Sequence, residues 1–347
     1  MSSCLGLMSV RLSHTSSAAE LPAYAGVMDV LSDVVAAMRT GRPHSARRDK
    51  YAPWGLRFAA TDEAGFHVVL RGSAWLIPED GEPVALAPGD VVFLAHGQRH
   101  ALASALDVPL REVRLLPDGT WIGPPDSGEP RSDCPDTVTV CGTYRLDRER
   151  AHRFLAELPE VMHLPARVGS HRSLRAAVEL LGMELEELRP GTDAIVTSLL
   201  DTLLLYILRA WWESERAAGR AGGWASALAD PAVAAALRAV HGDPARAWTV
   251  AELAAAGGLS RAAFARRFST LVGEPPLTYL TWWRMTVAGR LLRHDDLTMR
   301  QVAGRTGYTS EFAFAKAFKR EYGVAPGQYR RGAARAHRTD PDVRSRA

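Results

Sequence analysis

Three side chains in the first half of the chain could hold a metal ion together. His67 (in GFHVVLRG), His100 (in GDVVFLAHGQRH) and Cys141 (in TVTVCGTYRL) lie on short β-prone runs. Strands of one barrel that turned these residues inward would gather two imidazoles and a thiolate, a set that favours zinc. The plainer reading of the same residues is two hydrogen-bonded core histidines beside a buried free thiol. Cys134 and Cys141 offer a further chemistry as an oxidisable pair, with Arg131 and Arg145 the cations near enough to favour a thiolate. An apolar alternative is a pocket for an organic ligand, lined by Trp54, Phe66, Trp75 and Phe93 with His67 and His100 as its polar groups.

A second constellation repeats. VAGRTGYTSEFAFAKAFKREYGVAPGQYR, from Val302 to Arg330, has a fainter copy in LAAAGGLSRAAFARRFSTLVGEPPLTYL, from Leu253 to Leu280. Each copy spaces aromatics, glycines and cations in the same order, and the cations suit phosphate. Thr249 with Glu252 and Thr298 with Gln301 have the spacing of capping boxes that open a short helix. Gly258 and Gly307 stand where a tight turn needs positive φ. Ser260 and Thr309 then stand where a second helix would be capped. Phe264 and Phe268 in one copy, Phe314 and Phe318 in the other, share a helix face at i, i+4. Helix, glycine turn, helix is the plan in which the second helix enters the major groove. The copies align at an offset of 49 up to the turn and 50 after it, through Gly273/Gly323, Pro276/Pro326 and Tyr279/Tyr329. Between them, residues 276–294 predict one helix started by Pro276. Such a helix spans roughly 25 Å. That could set two recognition helices about one DNA turn, roughly 34 Å, apart.

The elements that must position these groups follow from periodicity. Residues 1–27 are Ser- and Ala-rich without a sustained period and predict a disordered extension. MDVLSDVVAAMRT from Met28 has helical spacing. From about Trp54 the pattern becomes short strands broken by Gly, Pro and Asp, which suits an antiparallel barrel or jelly roll. Helical pattern resumes at Arg148, AAGRAGG at 217–223 reads as a linker, and helices follow. Ile195, Leu199, Thr202 and Tyr206 mark one stripe of a helix whose other faces are also apolar.

The chain has 347 residues, enough for two or three domains, with 47% hydrophobic and 23% charged residues, ordinary for a globular protein. Its charge is divided unevenly. From Trp224 onward there are 19 Lys and Arg against 10 Asp and Glu, while the remainder has 23 against 29. A basic C-terminal third behind an acidic front fits nucleic-acid binding. Three cysteines are too few for a disulfide framework, and the apolar run from Ala194 is interrupted by Asp201 and Arg209, so no membrane span is expected.

Residues 224–331 resemble the DNA-binding domain of AraC/XylS transcription regulators. The likeness is carried by Ala303, Gly307, Tyr308, Phe314, Phe318, Lys319, Gly323, Pro326, Tyr329 and Arg330. It implies base readers at Arg261, Ala262, Ala265 and Arg266 in one recognition helix, and at Glu311, Phe312, Ala313, Ala315 and Lys316 in the other. Arg266 is the expected main reader. Arg261, Arg267, Lys319, Arg320 and Arg330 are expected at phosphates. Lys316 stands where the family usually has arginine, and lysine lacks the fork for bidentate guanine contact.

Gly89, Gly97 and His100 resemble the second cupin motif, with Ala95 in place of its proline. His67 fits one histidine of the first motif, but Val69 stands where its partner histidine would be. The order of parts resembles the AraC/XylS subgroup with a cupin-type ligand-binding domain.

The expected fold is therefore α+β: a cupin-like β-barrel sensor (28–146), a helical connector (147–223), an all-α domain with two helix-turn-helix units (224–331), and a disordered tail (332–347). The expected function is a cytoplasmic, effector-sensing, sequence-specific regulator of promoter DNA, without catalysis. Its implied partners are double-stranded DNA, an unidentified effector, RNA polymerase in the case of an activator, and a second copy of the chain. The rivals are a cupin metalloenzyme with an accessory DNA-binding tail and a non-specific architectural DNA binder.

Overall fold

The computed structural model describes residues 29–115, 121–122, 134–147, 153–166, 171–187, 189–219, 222–294 and 296–339. The extension expected over residues 1–27 lies outside the described residues, as do Arg131 and residues 340–347.

The N-terminal half opens with helix α1 (Val30–Met38), started by Asp29, whose carboxylate accepts the Leu31 N–H at 3.2 Å. Strands β1 (His44–Lys50), β2 (Gly55–Phe58), β3 (Ala64–Arg71), β4 (Ala74–Pro78), β5 (Val84–Leu86), β6 (Val91–Leu94) and β7 (His100–Ala103) follow. Next come β8 (Arg111–Leu115), β9 (Trp121–Ile122), β10 (Thr137–Tyr144) and, after the short helix α2 (Arg153–Ala156), β11 (Met162–Leu164). They form two sheets, ordered β1-β10-β3-β6-β11 and β5-β4-β7-β2-β8-β9. The sheets face each other but do not close on themselves, so the expected barrel is an open sandwich with edges at β1, β11, β5 and β9. The pairings are antiparallel except β2 with β8. The last strand comes from beyond residue 146: Leu164 pairs with Val91 and Met162 with Phe93, so the sheet reaches into the expected connector.

The central strands β10, β3 and β6 of the five-stranded sheet are buried on both faces. Val69, Val92, Leu94 and Cys141 face the second sheet, where they pack with Trp54, Phe58, Leu76 and Leu102. Phe66, Val68, Phe93 and Tyr144 face the other way, onto α1, α3 (Arg172–Glu186) and α4 (Thr192–Ala217). Alternation across a strand thus separates neighbours in sequence into different cores.

Helix α4 is long and apolar enough, by length and composition, to cross a bilayer, despite Asp201 and Arg209. In the protein, Leu200, Leu203, Leu204, Ile207 and Leu208 are buried in the core beneath the sheet, and Asp201 pairs with Arg39 at the end of α1. Its Ile195 remains 45% exposed.

The C-terminal third comprises α5 (Gly223–Ala229), α6 (Pro231–Gly242), α7 (Val250–Ala256), α8 (Arg261–Val272), α9 (Pro276–His294), α10 (Met299–Arg305), α11 (Glu311–Tyr322) and α12 (Pro326–Thr339). Helix α12 carries eight residues into the segment expected as a tail from 332. The predicted connecting helix is present at the predicted bounds as α9. Trp224, Val233, Leu237, Leu253, Phe264, Phe268, Tyr279 and Trp283 join the core that runs up from α1, α3 and α4. Met285, Ala288, Leu291, Val302, Phe314 and Phe318 form a separate one.

Helix α1 ties the halves together. Asp33 Oδ2 lies 3.2 Å from His241 Nδ1 on α6, and Arg293 on α9 donates to the Ala37 carbonyl and to Asp147, both at 3.4 Å.

Candidate nucleic-acid interface and sensor core

Both predicted capping boxes form. The Thr249 N–H donates to Glu252 at 2.8 Å and the Glu252 N–H returns to Thr249 Oγ1 at 3.2 Å; Thr298 and Gln301 repeat the pair at 2.8 and 3.2 Å. Ser260 caps α8, accepting from Ala263 N at 3.4 Å. The cap of α11 is Ser310, accepting from Ala313 N at 3.1 Å, and not Thr309. The offset of 50 already applies at this cap, because the second turn is one residue longer. Gly273 and Gly323 end the two helices at φ 86° and 71°, an ending open to glycine at no steric cost.

In each recognition helix the phenylalanine pair is buried, with ring centroids 5.5 Å apart in α8 and 5.7 Å in α11. Burial of one face fixes the other outward. Arg261, Ala262 and Arg266 are exposed on α8, and Glu311, Phe312, Ala313 and Lys316 on α11; Ala265 and Ala315 are half-buried at the margins. Phe312 is 82% exposed, an aromatic ring offered to solvent from the first turn of its helix. Among the described residues, Arg261, Arg266, Lys316 and Lys319 have no carboxylate partner, while Glu311 lies 3.6 Å from Arg300 and Arg320 pairs with Glu321.

Two expected phosphate contacts are engaged internally. Arg267 clamps Asp230, the buried N-cap of α6, whose carboxylate also accepts from Ala232 and Val233 at 3.1 and 3.0 Å. Burial pushes the Asp230 carboxyl up, but the Val233 N–H and the Arg267 guanidinium outweigh it and hold its pKa below the usual value. Arg330 donates to the Leu297 carbonyl at 2.6 Å and so fastens α12 to the loop before α10. Sequence alone gives no sign of either long-range pairing.

The N-terminal half gathers some of its predicted residues and separates others. His67 and His100 meet between the sheets, Nε2 to Nε2 at 2.7 Å, with Phe58 stacked on His100 at 4.8 Å. Burial first, then the neighbouring positive charge of Lys50 for His67, lowers the His67 pKa to about 3; burial and His67 do the same for His100. Both rings are therefore neutral at pH 7. His100 Nδ1–H donates to the Gln98 carbonyl at 2.9 Å, so its Nε2 accepts from His67 Nε2–H. His67 Nδ1 is then a buried acceptor with no partner.

Cys141 lies directly across from His67 in the sheet, but its sulfur sits 3.6 Å from Thr139 Oγ1. Thr139 in turn accepts from Lys50 Nζ at 2.6 Å, and this ammonium stands 4.8 Å from the Trp54 ring centroid. Lys50 is 1% exposed and is one of three lysines in the chain; that rarity was the available signal for it. Among the described residues no three His, Cys, Asp or Glu converge on a metal position. The N/N/S zinc set does not fit this arrangement, since the histidines bond to each other and the thiol to a hydroxyl. Cys134 is exposed and Cys141 buried, and the two are not joined as the expected redox pair in this state.

The predicted aromatic pocket is divided. Trp54 shares the inter-sheet core with the histidines; Phe66 and Phe93 lie on the helix-facing side. Trp75 is half-buried between the inward Ala74 and Leu76, and so belongs to the outer face of its sheet. The two glycines of the cupin-like motif serve the backbone. A methyl on Gly97 (φ 59°) would stand 2.2 Å from the Glu63 carbonyl, and one on Gly89 (φ 88°) 2.7 Å from the Ala166 side chain; beside Gly89, Asp90 receives the Ala166 N–H at 2.8 Å and His163 at 2.9 Å.

Comparison with known proteins covers both halves. A family model described as cupin matches residues 29–213, and one described as helix-turn-helix domain matches residues 253–332. A Streptomyces lividans protein named as an AraC-like transcription regulator is 36% identical over 307 residues, 88% of this chain and 98% of its own. A Streptomyces antibioticus protein of the same description is 34% identical over 306 residues, 88% and 99% of the two chains. Among solved structures, the DNA-binding domain of the global transcriptional factor AdpA, in complex with a target DNA, is 38% identical over 31% of this chain and 96% of its own, with a TM-score of 0.29.

Proposed function

Because this chain belongs to the AraC-like transcription regulators, we propose how its own residues carry that role. Arg261, Ala262, Ala265 and Arg266 on α8, and Glu311, Phe312, Ala313, Ala315 and Lys316 on α11, read base edges in successive major grooves. Lys319 and Arg320 lie beside phosphate. Arg267 supports the interface by holding α6. The observation that carries the assignment is the pair of outward faces, each fixed by a buried phenylalanine pair and carrying cations without carboxylate partners. Arg266 can take guanine O6 and N7, and Phe312 and the alanines suit thymine methyls.

The cupin-type module is the sensor in this proposal, a unit ending near residue 146 in sequence but completed by β11. The effector is an organic molecule that donates a hydrogen bond to His67 Nδ1, the unpartnered buried acceptor among Trp54, His67 and His100. Its binding shifts the balance between arrangements of sensor and DNA-binding domain. The route is α1, which touches α4 below the sheet and α6 and α9 in the DNA-binding third. No reaction is assigned to the module. Two copies pair through the accessible stripe of α4, Ile195, Leu199, Thr202 and Tyr206, and an activating form contacts RNA polymerase in the cytoplasm.

Selection of sites from random duplex DNA with the full chain tests the proposal. Enrichment of a motif with two elements about one helical turn apart is the expected result. Binding with a steep salt dependence and no enriched motif would mark an architectural DNA binder instead.

A further inference from the structure

We propose that Arg284 fixes the relative setting of the two helix-turn-helix units, and so determines which spacing of DNA elements the protein accepts. The inference rests on the two-element DNA reading above. Helix α9 is shared between two cores. Tyr279, Leu280 and Trp283 belong to the first, Met285, Ala288, Leu291 and Leu292 to the second. Arg284 stands at the seam.

Its guanidinium reaches back to the first unit. Nε donates to the Pro244 carbonyl at 2.7 Å and Nη2 to the Arg246 carbonyl at 2.8 Å. The receiving loop is itself braced. Trp248 Nε1 donates to the Asp243 carbonyl at 2.9 Å, and Arg246 both covers the Trp248 ring at 4.0 Å and donates to Glu252 at 2.9 Å. Glu252 closes the capping box of α7, so the loop and the first unit move as one piece.

The same guanidinium touches the second unit. A methyl placed on Gly307, the turn glycine between α10 and α11, would lie 2.7 Å from Arg284 Nη2 and 2.6 Å from the Ala245 carbonyl. Loop, guanidinium and turn are therefore in contact across the helix. The equivalent glycine of the first unit, Gly258, has nothing within 4 Å of such a methyl. Only the second turn is used in this way.

The chemistry calls for arginine. Two carbonyls are reached at once by donors at fixed positions on one plane, which a lysine ammonium on a flexible stem cannot reproduce. Each core grips its own half of α9, and rocking of the units about that helix is opposed where loop, guanidinium and turn meet. A fixed setting lets the second element bind without first restricting a hinge, and the gain appears only when both elements are engaged.

The test measures equilibrium binding of the full chain, wild type, Arg284→Ala and Arg284→Lys, to the selected two-element site and to a duplex carrying only the first element. A series in which the element spacing changes by one or two base pairs completes it. Both variants are expected to lose on the order of tenfold in affinity for the native spacing, hold the single-element affinity within about twofold, and discriminate less between spacings. An equal loss on the single-element duplex would overturn the inference, because Arg284 would then only stabilise the first unit. So would an undiminished spacing preference in Arg284→Lys, which retains the charge and most of the stem where Arg284→Ala fails to fold. A wild type that selects no two-element site sinks the parent reading and this inference together. A wild type that selects one, with Arg284→Lys keeping its spacing preference, sinks this inference alone.

Discussion

The two helix-turn-helix units each have a capping box, a turn glycine and a buried phenylalanine pair, yet they have different mechanical neighbours. Phe264 and Phe268 belong to a core that continues through α6 to helices α1, α3 and α4 and the outer face of the five-stranded sheet. Phe314 and Phe318 pack in a small core of their own, connected to the rest through α9. The first unit is an extension of the N-terminal half and the second is carried on an arm. A displacement in the N-terminal half thus reaches α8 by direct packing and α11 through α9 and the contacts of the Gly307 turn with Arg284 and Ala245.

Truncating the phenylalanines is the strongest way to break the comparison. Phe268→Ala and Phe318→Ala should each cost about 3–5 kcal/mol. In calorimetry, Phe268→Ala is expected to lower the main transition of the molecule. Phe318→Ala is expected to release an early, separate transition of the second unit. A single shared transition in Phe318→Ala would show that the two cores are one cooperative unit after all.

The turn glycines come next. Gly258→Ala should cost about 1–2 kcal/mol for a side chain held at φ 68°. Gly307→Ala adds to a similar penalty the displacement of the Ala245 carbonyl, about 1–3 kcal/mol more. Equal losses in chemical denaturation would remove the contact between units from the account.

Arg266→Ala should weaken binding to the cognate site by about 1–3 kcal/mol and flatten discrimination at one base position. Lys316→Ala, at the corresponding face of α11, should weaken binding more evenly across sequences, since lysine lacks the bidentate fork. Titrations against matched and singly mismatched duplexes separate the two patterns.

The smallest effect distinguishes the caps. The hydrogen bond from Arg246, followed by the Thr249 N–H and hydroxyl, lowers the Glu252 pKa to about 2. Its contribution is present at neutral pH and is lost as pH falls from the ordinary carboxyl range near 4.5 through about 2. Gln301, its counterpart in the second unit, does not titrate. Glu252→Gln should therefore lie closest to wild type in stability at the acid end of that window and furthest from it at pH 7. A difference independent of pH would refute the role given to the carboxylate.

Much of the DNA-binding third was legible because its signals are local. Caps, turn glycines and i, i+4 phenylalanines need no distant partner, and Pro276 began α9 where the sequence placed it. The sandwich was less so. Strands β3 and β6 are apolar on both faces, so alternation could not tell that His67 and Phe66 point into different layers. Strand β1 reads HSARRDK, a charged edge strand with no apolar alternation, and Lys50 was hidden in it. The pairings of Arg267 with Asp230 and of His241 with Asp33 join segments that nothing in the local pattern connects.

Helix α1 has a consequence for the order in which the protein is made. It leaves the ribosome ahead of every other described element, yet the partner of Asp33 lies 208 residues later and the guanidinium that caps Ala37 lies 256 residues later. Throughout that interval its apolar face, Val30, Leu31, Val34 and Met38, has only part of its final cover. A nascent chain is thus most exposed to aggregation just before its last third emerges, and an N-terminal half cut free of the DNA-binding third would keep that exposure permanently.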